Sequence, residues 1–184
     1  IQAHAERLSA TFGGRTLGTF VPLSFSVLKT FDPRPDASRG LALDRVSSYA
    51  KYLLLHFGDI THVVHLMQGG RLKPDDKQSK KPRGGQARWV FTDGSALLLT
   101  EPGTERRAGV WMVAGDPVAQ VPISELGPLA TALSVDELAA IMVVNSMRLH
   151  GFLRSQPIVS GLGRRLANEI CHHAKLSPFA STGK

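Results

Sequence analysis

Two adjacent arginines at the start of a predicted helix are the first residues whose types and spacing could do chemistry. Arg164 and Arg165 directly follow the turn Gly161-Leu162-Gly163. Glycines let a ligand approach the backbone closely, and the free N–H groups of a helix N-terminus bind anions. Two cations at this end oppose the helix dipole, so a bound anion would compensate for them. The pattern favours a phosphate site; the alternative is that both side chains point to water.

The overall charge points in the same direction. The 184 residues include 22 Lys and Arg against 15 Asp and Glu, a net charge of +7, which favours a nucleic-acid partner. Residues 71–88 are basic and are interrupted by Pro and Gly, which predicts a mobile loop without helix or strand. Its basic residues are Arg71, Lys73, Lys77, Lys80, Lys81, Arg83 and Arg88. The alternative for this stretch is a solvated linker between two strands.

The residues that could bind metal are few. Cys171 is the single cysteine, which excludes an internal disulfide and a zinc site built from several cysteines. His172 and His173 follow it on a predicted helix, where successive side chains do not face each other. We therefore expect a buried thiol, two surface imidazoles and no metal site. The apolar runs fall short of the roughly 20 residues that a membrane span needs, so no membrane partner is expected.

The elements that position these residues change in character along the chain. Ala5, Leu8 and Phe12 have helical spacing and predict a leading helix over residues 2–12, ended by Gly13-Gly14. A strand-rich half follows, with hairpin turns predicted at Gly58-Asp59 and Asp93-Gly94. The predicted strands cover residues 16–28, 41–46, 51–57, 61–67, 88–92, 95–100 and 109–113.

The last third of the chain is predicted to be helical. Ser134 lies three residues before Glu137, a capping-box pattern that begins a helix ending near Gly151. A short helix over residues 152–156 and a helix over residues 165–174 follow. These elements predict an α+β fold: an antiparallel β-sandwich with a leading helix (1–115), a connector (116–133) and a helical domain (134–184).

Several segments of the sequence match one known family in the same order. Residues 156–163 read Gln-Pro-Ile-Val-Ser-Gly-Leu-Gly and run on through Ala-Asn-Glu at 167–169 to Ala-Lys-Leu-Ser-Pro at 174–178. This segment resembles the helix–two-turn–helix of the formamidopyrimidine-DNA glycosylase and endonuclease VIII family. Further matches are Gly-Arg-Thr at 14–16, Ala-Lys-Tyr-Leu at 50–53, His-Leu-Met-Gln-Gly-Gly-Arg-Leu at 65–72 and the segments 91–95 and 100–111. The resemblance covers nearly the whole chain.

The resemblance implies residue roles in a reaction that extrudes a base from duplex DNA. Lys51 matches the family lysine that holds the phosphate beside the extruded nucleotide, and we expect it to be borne on a strand. His65 matches the family histidine near the wedge loop. A surface lysine and a core histidine are the respective alternatives. The implied DNA-binding residues are Lys51, His65, Met67, Gln68, Arg71, Arg106, Arg107, Gly163, Arg164, Arg165 and Asn168.

This chain departs from the family at some of these positions. The family's wedge methionine falls at Gln68, with Met67 one residue earlier, and either side chain could enter the gap left by the base. The loop carrying Arg106 and Arg107 is longer and lacks the family's Phe. Arg164 replaces a phosphate-binding Asn, which preserves phosphate contact because Arg binds phosphate at least as well. The base lesion is not specified by these residues.

The family's chemistry depends on both ends of the protein. Its nucleophile is an N-terminal Pro, followed by a Glu that acts as general acid, whereas this sequence begins Ile1-Gln2. We therefore expect a chain starting at Ile1 to be inactive, being either a trimmed enzyme or a paralogue without the catalytic end. The family also carries a zinc finger after the helical domain, so zinc is expected only if such a finger follows Lys184. No other cofactor is expected.

Together these observations predict a DNA-repair protein. The expected function is that of a base-excision DNA glycosylase with AP lyase activity if a Pro-Glu start precedes Ile1. The alternative is a non-catalytic paralogue that recognises distorted or abasic DNA. The expected partner is double-stranded DNA, damaged or abasic, bound by a monomer in the cytoplasm and associated with the nucleoid.

Overall fold

The computed structural model describes residues 1–183, which form four α-helices and eight β-strands. The helices are α1 (Gln2–Phe12), α2 (Val135–Val144), α3 (Leu149–Arg154) and α4 (Arg164–His173). The strands are β1 (Leu17–Pro22), β2 (Arg45–Tyr49), β3 (Tyr52–Phe57), β4 (Ile60–His65), β5 (Arg71–Pro74), β6 (Gly85–Phe91), β7 (Ala96–Thr100) and β8 (Gly109–Ala114). No helix within residues 1–183 has the length and apolar character that crossing a bilayer requires.

The chain packs as two units, Ile1–Val121 and Pro122–Lys184. The first unit is a sandwich of two antiparallel sheets, with strand orders β1-β6-β7-β5 and β2-β3-β4-β8. One face of each sheet contributes to a shared apolar core, into which α1 buries Ala5, Leu8 and Phe12. The predicted leading helix, sandwich and α+β class are confirmed, and the division between the units falls inside the predicted connector 116–133.

The predicted hairpin turns are also present. Gly94 has a φ of 85° and joins β6 to β7, and Gly58, with a φ of 57°, joins β3 to β4. The two strand predictions that differ most from the structure are 41–46 and 16–28. Residues 41–44 pack irregularly rather than extending β2, because Leu43 is buried in the core and pairs its main chain with Arg15. The first strand ends at Pro22, which has no N–H to continue a ladder.

The prediction that residues 71–88 lack secondary structure is wrong at both ends. The segment begins with β5, an edge strand that tolerates Pro74 as its last residue, and it ends within β6. Arg88, counted as part of the basic loop, is buried and forms an ion pair with Asp75 at 2.7 Å. The basic stretch is therefore anchored to the sheet.

The second unit is helical, and its first long helix is shorter than expected. The predicted capping box is confirmed, because Ser134 and Glu137 exchange side-chain-to-backbone hydrogen bonds at the start of α2. The helix ends at Val144 rather than near Gly151. Asn145 leaves the helical conformation and donates from its side-chain amide to the Ile141 carbonyl, which caps the last turn. The chain then restarts as α3, whose Phe152 is fully buried against Ala167 and Cys171 of α4 in the core of this unit.

Candidate nucleic-acid interface

Lys51 lies in the two-residue turn that joins β2 to β3, not on a strand as predicted. Tyr49 and Tyr52 form the last pair of the ladder, and Ala50 between them has a φ of 51°. A left-handed conformation at the first turn residue is typical of tight hairpins, and here an alanine adopts it. The hairpin fixes the backbone of Lys51 at the tip of two paired strands, which achieves the positioning that a strand was expected to supply.

His65 ends β4 beside this turn. Val64 faces the core, so His65 points to the outer face of its sheet, where its ring meets Tyr52 edge to face at 4.8 Å. Burial lowers the pKa of His65 below its usual value, and the positive charge of Lys51 lowers it further, while Glu101 opposes both effects. The imidazole is therefore neutral at pH 7, and Lys51 is the cation of this pair.

The turn after β4 is held by His65. The Met67 backbone N–H donates to Nδ1 of His65 at 3.0 Å, which makes Nδ1 an acceptor and assigns the proton of the neutral ring to Nε2. Met67 has a φ of 55°, a conformation that costs a non-glycine residue about 1–2 kcal/mol. Gly70 closes the turn, because a Cβ at this position would overlap the Leu66 carbonyl. The result is a tight turn that leaves both Met67 and Gln68 exposed.

A second loop, residues 102–107, faces this turn across a cleft of about 570 Å³. Glu101 at its base is buried; its Oε2 accepts the N–H of Ala108 at 2.6 Å, and its own N–H donates to the Gly84 carbonyl. These bonds pin both ends of the loop. Arg107 lines the cleft together with Met67 and Gln68, and it forms an exposed ion pair with Glu105 at 3.0 Å.

The remaining predicted residues of the first unit lie near these two loops in the chain. Arg106 is exposed on the loop 102–107. Arg71 begins β5, directly after the turn that carries Met67, and donates to the Gly70 carbonyl at 2.8 Å. The structure thus brings Lys51 together with His65, and Met67 and Gln68 together with Arg107.

In the second unit, the turn before α4 is clamped by one side chain. Gln156 accepts the N–H of Gly161 at 3.1 Å and donates to the Leu162 carbonyl at 2.9 Å, and Gly161 adopts a φ of 93°. Gly163 is the N-cap of α4 and provides no side-chain cap, so the first N–H groups of the helix are available to an anion.

The two arginines at this helix start differ in environment. Arg165 forms an exposed i,i+4 ion pair with Glu169 at 2.8 Å, which raises the pKa of the guanidinium. Arg164 is exposed, and within residues 1–183 it takes part in none of the ion pairs. Asn168 is exposed on the same helix. Arg164 is thus the cation more available to an anion at this N-terminus.

Glu101 and Gln156 were not predicted to have a role at the site. The side-chain hydrogen bonds that hold Ala108, Gly161 and Leu162 connect residues five to seven positions apart in irregular segments, and no periodicity marks such contacts. The predicted buried thiol and surface imidazoles are present on α4, with Cys171 buried and His172 and His173 exposed. Over residues 1–183, no group of three or more His, Cys, Asp or Glu side chains could hold a metal ion.

The leading helix and the antiparallel sandwich of the first unit assign the chain to a known family. Residues 2–111 match the family model described as the formamidopyrimidine-DNA glycosylase N-terminal domain. The chain belongs to this family.

Individual relatives agree with this assignment. The chain is 30% identical over 142 residues to the formamidopyrimidine-DNA glycosylase of Thiobacillus denitrificans, which covers 76% of this chain and 52% of the relative. It is also 30% identical over 158 residues to the enzyme of Shewanella sp. strain W3-18-1, with 83% and 57% covered. The chain therefore spans about half the length of these relatives.

Solved structures share the fold. The Lactococcus lactis Fpg in complex with DNA containing an abasic site superimposes with a TM-score of 0.85 and 17% identity, over 98% of this chain and 67% of that one. MutM in complex with DNA containing carbocyclic 8-oxo-G gives a TM-score of 0.84 at 15% identity, over 97% and 68%.

Proposed function

We propose that this protein binds duplex DNA at damaged or abasic sites and takes part in base-excision repair, in the cytoplasm and associated with the nucleoid. Its relatives are named formamidopyrimidine-DNA glycosylases, and its structural neighbours are described as complexes with abasic-site and 8-oxo-G DNA. The observation that carries the proposal is the Met67 turn: an exposed apolar side chain on a left-handed residue that His65 holds, with Lys51 close to that histidine.

This arrangement suits the extrusion of a base. Removing a nucleotide from the stack costs a few kcal/mol, and proteins offset this cost with apolar wedges and phosphate contacts. Met67 or Gln68 would supply the wedge, since both are exposed on the same turn. Arg107 on the opposite side of the cleft, with Arg106 next to it, would insert beside the wedge or bind phosphate. A turn that is already ordered loses little entropy when it enters DNA.

The phosphate contacts would come from both units. In the first unit, Lys51 would hold a phosphate from the tip of its hairpin, and Arg71 would add a second contact. In the second unit, the N-terminus of α4 offers its N–H groups at Gly163 together with Arg164, a combination that binds phosphate in many proteins. Arg165 and Asn168 would complete this contact.

Replacing Lys51 with glutamine tests the phosphate role. We expect the variant to bind all duplexes more weakly and to reduce the slope of log affinity against log salt by about 0.9, the value of one phosphate contact. Binding of intact duplex and of duplex containing a tetrahydrofuran abasic analogue is measured by fluorescence anisotropy between about 50 and 200 mM salt.

Arg39→Gln is the matched control, because Arg39 is exposed in the same unit and its substitution also removes one positive charge. It should leave the slope unchanged. Equal slopes for Lys51→Gln and the wild type would contradict the role of Lys51. If the wild-type protein bound the abasic analogue no better than the intact duplex, the proposed recognition of damage would itself be wrong.

Borohydride trapping on abasic-site DNA separates excision from binding alone. An amine that forms a Schiff base with the sugar is fixed covalently by reduction, and a terminal amine suits this role because its pKa, near 8, is lower than that of lysine. A covalent adduct would support glycosylase and lyase chemistry, whereas a preference for abasic DNA without an adduct would support a non-catalytic paralogue.

A further inference from the structure

A basic segment, residues 75–83, connects β5 to β6 and crosses the outer face of the first sheet; we refer to it as the strap. Ala87 and Trp89 face the core, so Arg88 between them points to the outer face. There Nε of Arg88 donates to Oδ2 of Asp75 at 2.7 Å, and Nη2 donates to the Ser79 carbonyl at 2.8 Å. One buried arginine therefore binds the strap at two points.

Gln78 fixes the strap at the far end of the sheet. Its N–H donates to Oδ1 of Asp75 at 3.2 Å, and its side-chain amide donates to the Gly94 carbonyl in the β6–β7 turn at 2.7 Å. The Asp75 N–H donates to the Ala96 carbonyl at 2.9 Å. The strap is thus bonded to β6 and to both sides of the adjoining turn.

Four of the six residues that the strap leaves exposed are cations. Asp75 is neutralised by Arg88, so Asp76 is its only exposed carboxylate. Its exposed cations are Lys77, Lys80, Lys81 and Arg83. Among residues 1–183, none of these four takes part in an ion pair. Lys73 adds a fifth exposed cation on the same face, because its neighbour Leu72 points into the core.

The strap lies outside the sheet opposite to the one that bears His65. His65 points outward from the sheet β2-β3-β4-β8, whereas Arg88 and the strap lie outside the sheet β1-β6-β7-β5, on the other side of the shared core. A duplex segment at the Lys51–His65 turn would not be the segment that the strap meets. Two cations border the candidate interface: Arg83 precedes Gly84, whose carbonyl accepts the Glu101 N–H at the base of the loop 102–107, and Arg71 directly follows the Met67 turn. The separate surface is the rest of the strap, with Lys77, Lys80 and Lys81.

A regular array of phosphates is the partner that this surface fits. Four like charges within seven residues repel one another, and the buried ion pair holds them in place without neutralising any of them. Duplex DNA presents one charge per about 1.7 Å of helix axis, and a pre-ordered cationic segment gains counterion release without paying to order itself. Binding of this kind requires contact with phosphates only, not with a nucleobase or a lesion.

We propose that the strap binds the phosphate backbone of a second segment of duplex DNA, independently of any lesion. The proposal rests on the proposed function for the identity of the polyanion but not for recognition of damage. A second contact of this kind would keep the protein on DNA while the candidate interface releases one site and samples another.

The test compares Lys80→Gln/Lys81→Gln with Arg39→Gln/Arg45→Gln, which removes two exposed charges of the same unit outside the strap. The strap variant should reduce the salt slope by about 2 on intact duplex and on abasic-analogue duplex alike, leaving the ratio of the two affinities unchanged. The control should change neither. Because all four residues are exposed, both variants should melt at the wild-type temperature, which verifies that they are folded.

Two results would overturn the proposal. One is a slope for the strap variant that equals that of the control, and the other is a loss confined to the abasic duplex, which would make the strap part of the lesion site. Failure of the proposed function gives a different result: the wild-type protein then shows no preference for abasic DNA. The salt slopes of the strap variant and the control can still be compared on intact duplex.

Discussion

Replacing Asp75 with alanine is expected to lower the free energy of unfolding of the first unit by about 3–5 kcal/mol, since the change leaves a buried charge without its partner. Both side chains of the Asp75–Arg88 pair are about one-tenth exposed or less. Asp75 also accepts the Gln78 N–H, so its loss removes the bond that orders the start of the strap. A buried arginine that loses its carboxylate either stays desolvated or pulls the strap open to reach water.

Urea unfolding followed by tryptophan fluorescence measures this effect in the right place, because Trp89 and Trp111 both belong to the first unit. Asp76→Ala is the matched control: Asp76 is exposed and makes none of the ion pairs within residues 1–183, so its removal should change stability by less than about 0.5 kcal/mol. A further variant, Asp75→Leu/Arg88→Met, should be much milder than Asp75→Ala, because replacing both charges leaves neither unpaired. Equal losses for Asp75→Ala and Asp76→Ala would show that the pair contributes little.

The same pair shows why composition could not describe residues 71–88. Local signals in this stretch are proline, glycine and lysine, which in isolation predict an unstructured loop. The interaction that orders it joins residues 13 positions apart and depends on β6 turning Arg88 toward the strap. No local pattern marks one arginine among seven basic residues as buried.

Local patterns succeeded where the determinants were themselves local. The spacing of Ala5, Leu8 and Phe12 gave the buried face of α1, and Ser134 and Glu137 satisfy one another within a single turn. The Asp93-Gly94 pair likewise needs only the backbone freedom of glycine. At Asn145 the local pattern gave the wrong helix end, because the apolar spacing continues past this residue. The Asn145 side chain caps the helix, and the Thr182 hydroxyl, 37 residues away, donates to the Asn145 carbonyl.

At the candidate site, too, the sequence predicted the residues but not their long-range contacts. The order of family-like segments predicted that Lys51, His65 and Met67 would carry function, and the structure brings Lys51 and Met67 each close to His65. The contacts among these residues could not be predicted from the order of the segments. That Lys51 sits in a turn, that His65 accepts from Met67 and that Glu101 pins the facing loop all depend on pairing between strands.

Acidification should destabilise the first unit through a histidine that takes no part in the proposed interface. His62 is fully buried between Trp89, whose Nε1–H donates to its Nδ1 at 2.8 Å, and Ser38, whose hydroxyl lies 2.8 Å from its Nε2. The indole can only donate, so Nδ1 must be unprotonated and Nε2 carries the proton of the neutral ring. Burial lowers the pKa of His62 from 6.5 to about 3.

The direction of the change in stability with pH follows from the number of protons that the folded and unfolded states bind. Between pH 6.5 and about 3 the unfolded chain binds a proton at this position that the folded protein does not, so stability is fully present above pH 6.5 and is lost as the pH falls. One pKa unit corresponds to about 1.4 kcal/mol, so His62 alone should remove about 4 kcal/mol by pH 3, where half of the folded molecules bind the proton. Burial also lowers the pKa of His4, His56 and His65, and these residues act in the same direction.

His62→Asn isolates this contribution, because an asparagine oxygen can replace Nδ1 as the acceptor for Trp89 but does not titrate. The variant should be less stable than the wild type at pH 7, and its stability should depend less steeply on pH between about 6 and 4, by roughly 1.4 kcal/mol per pH unit. His173→Asn, at an exposed position in the second unit, should follow the wild-type profile. Urea unfolding at a series of pH values, followed by tryptophan fluorescence, gives all three profiles. Parallel profiles for the wild type and His62→Asn would mean that the buried imidazole is protonated without unfolding, contrary to the hydrogen bond from Trp89.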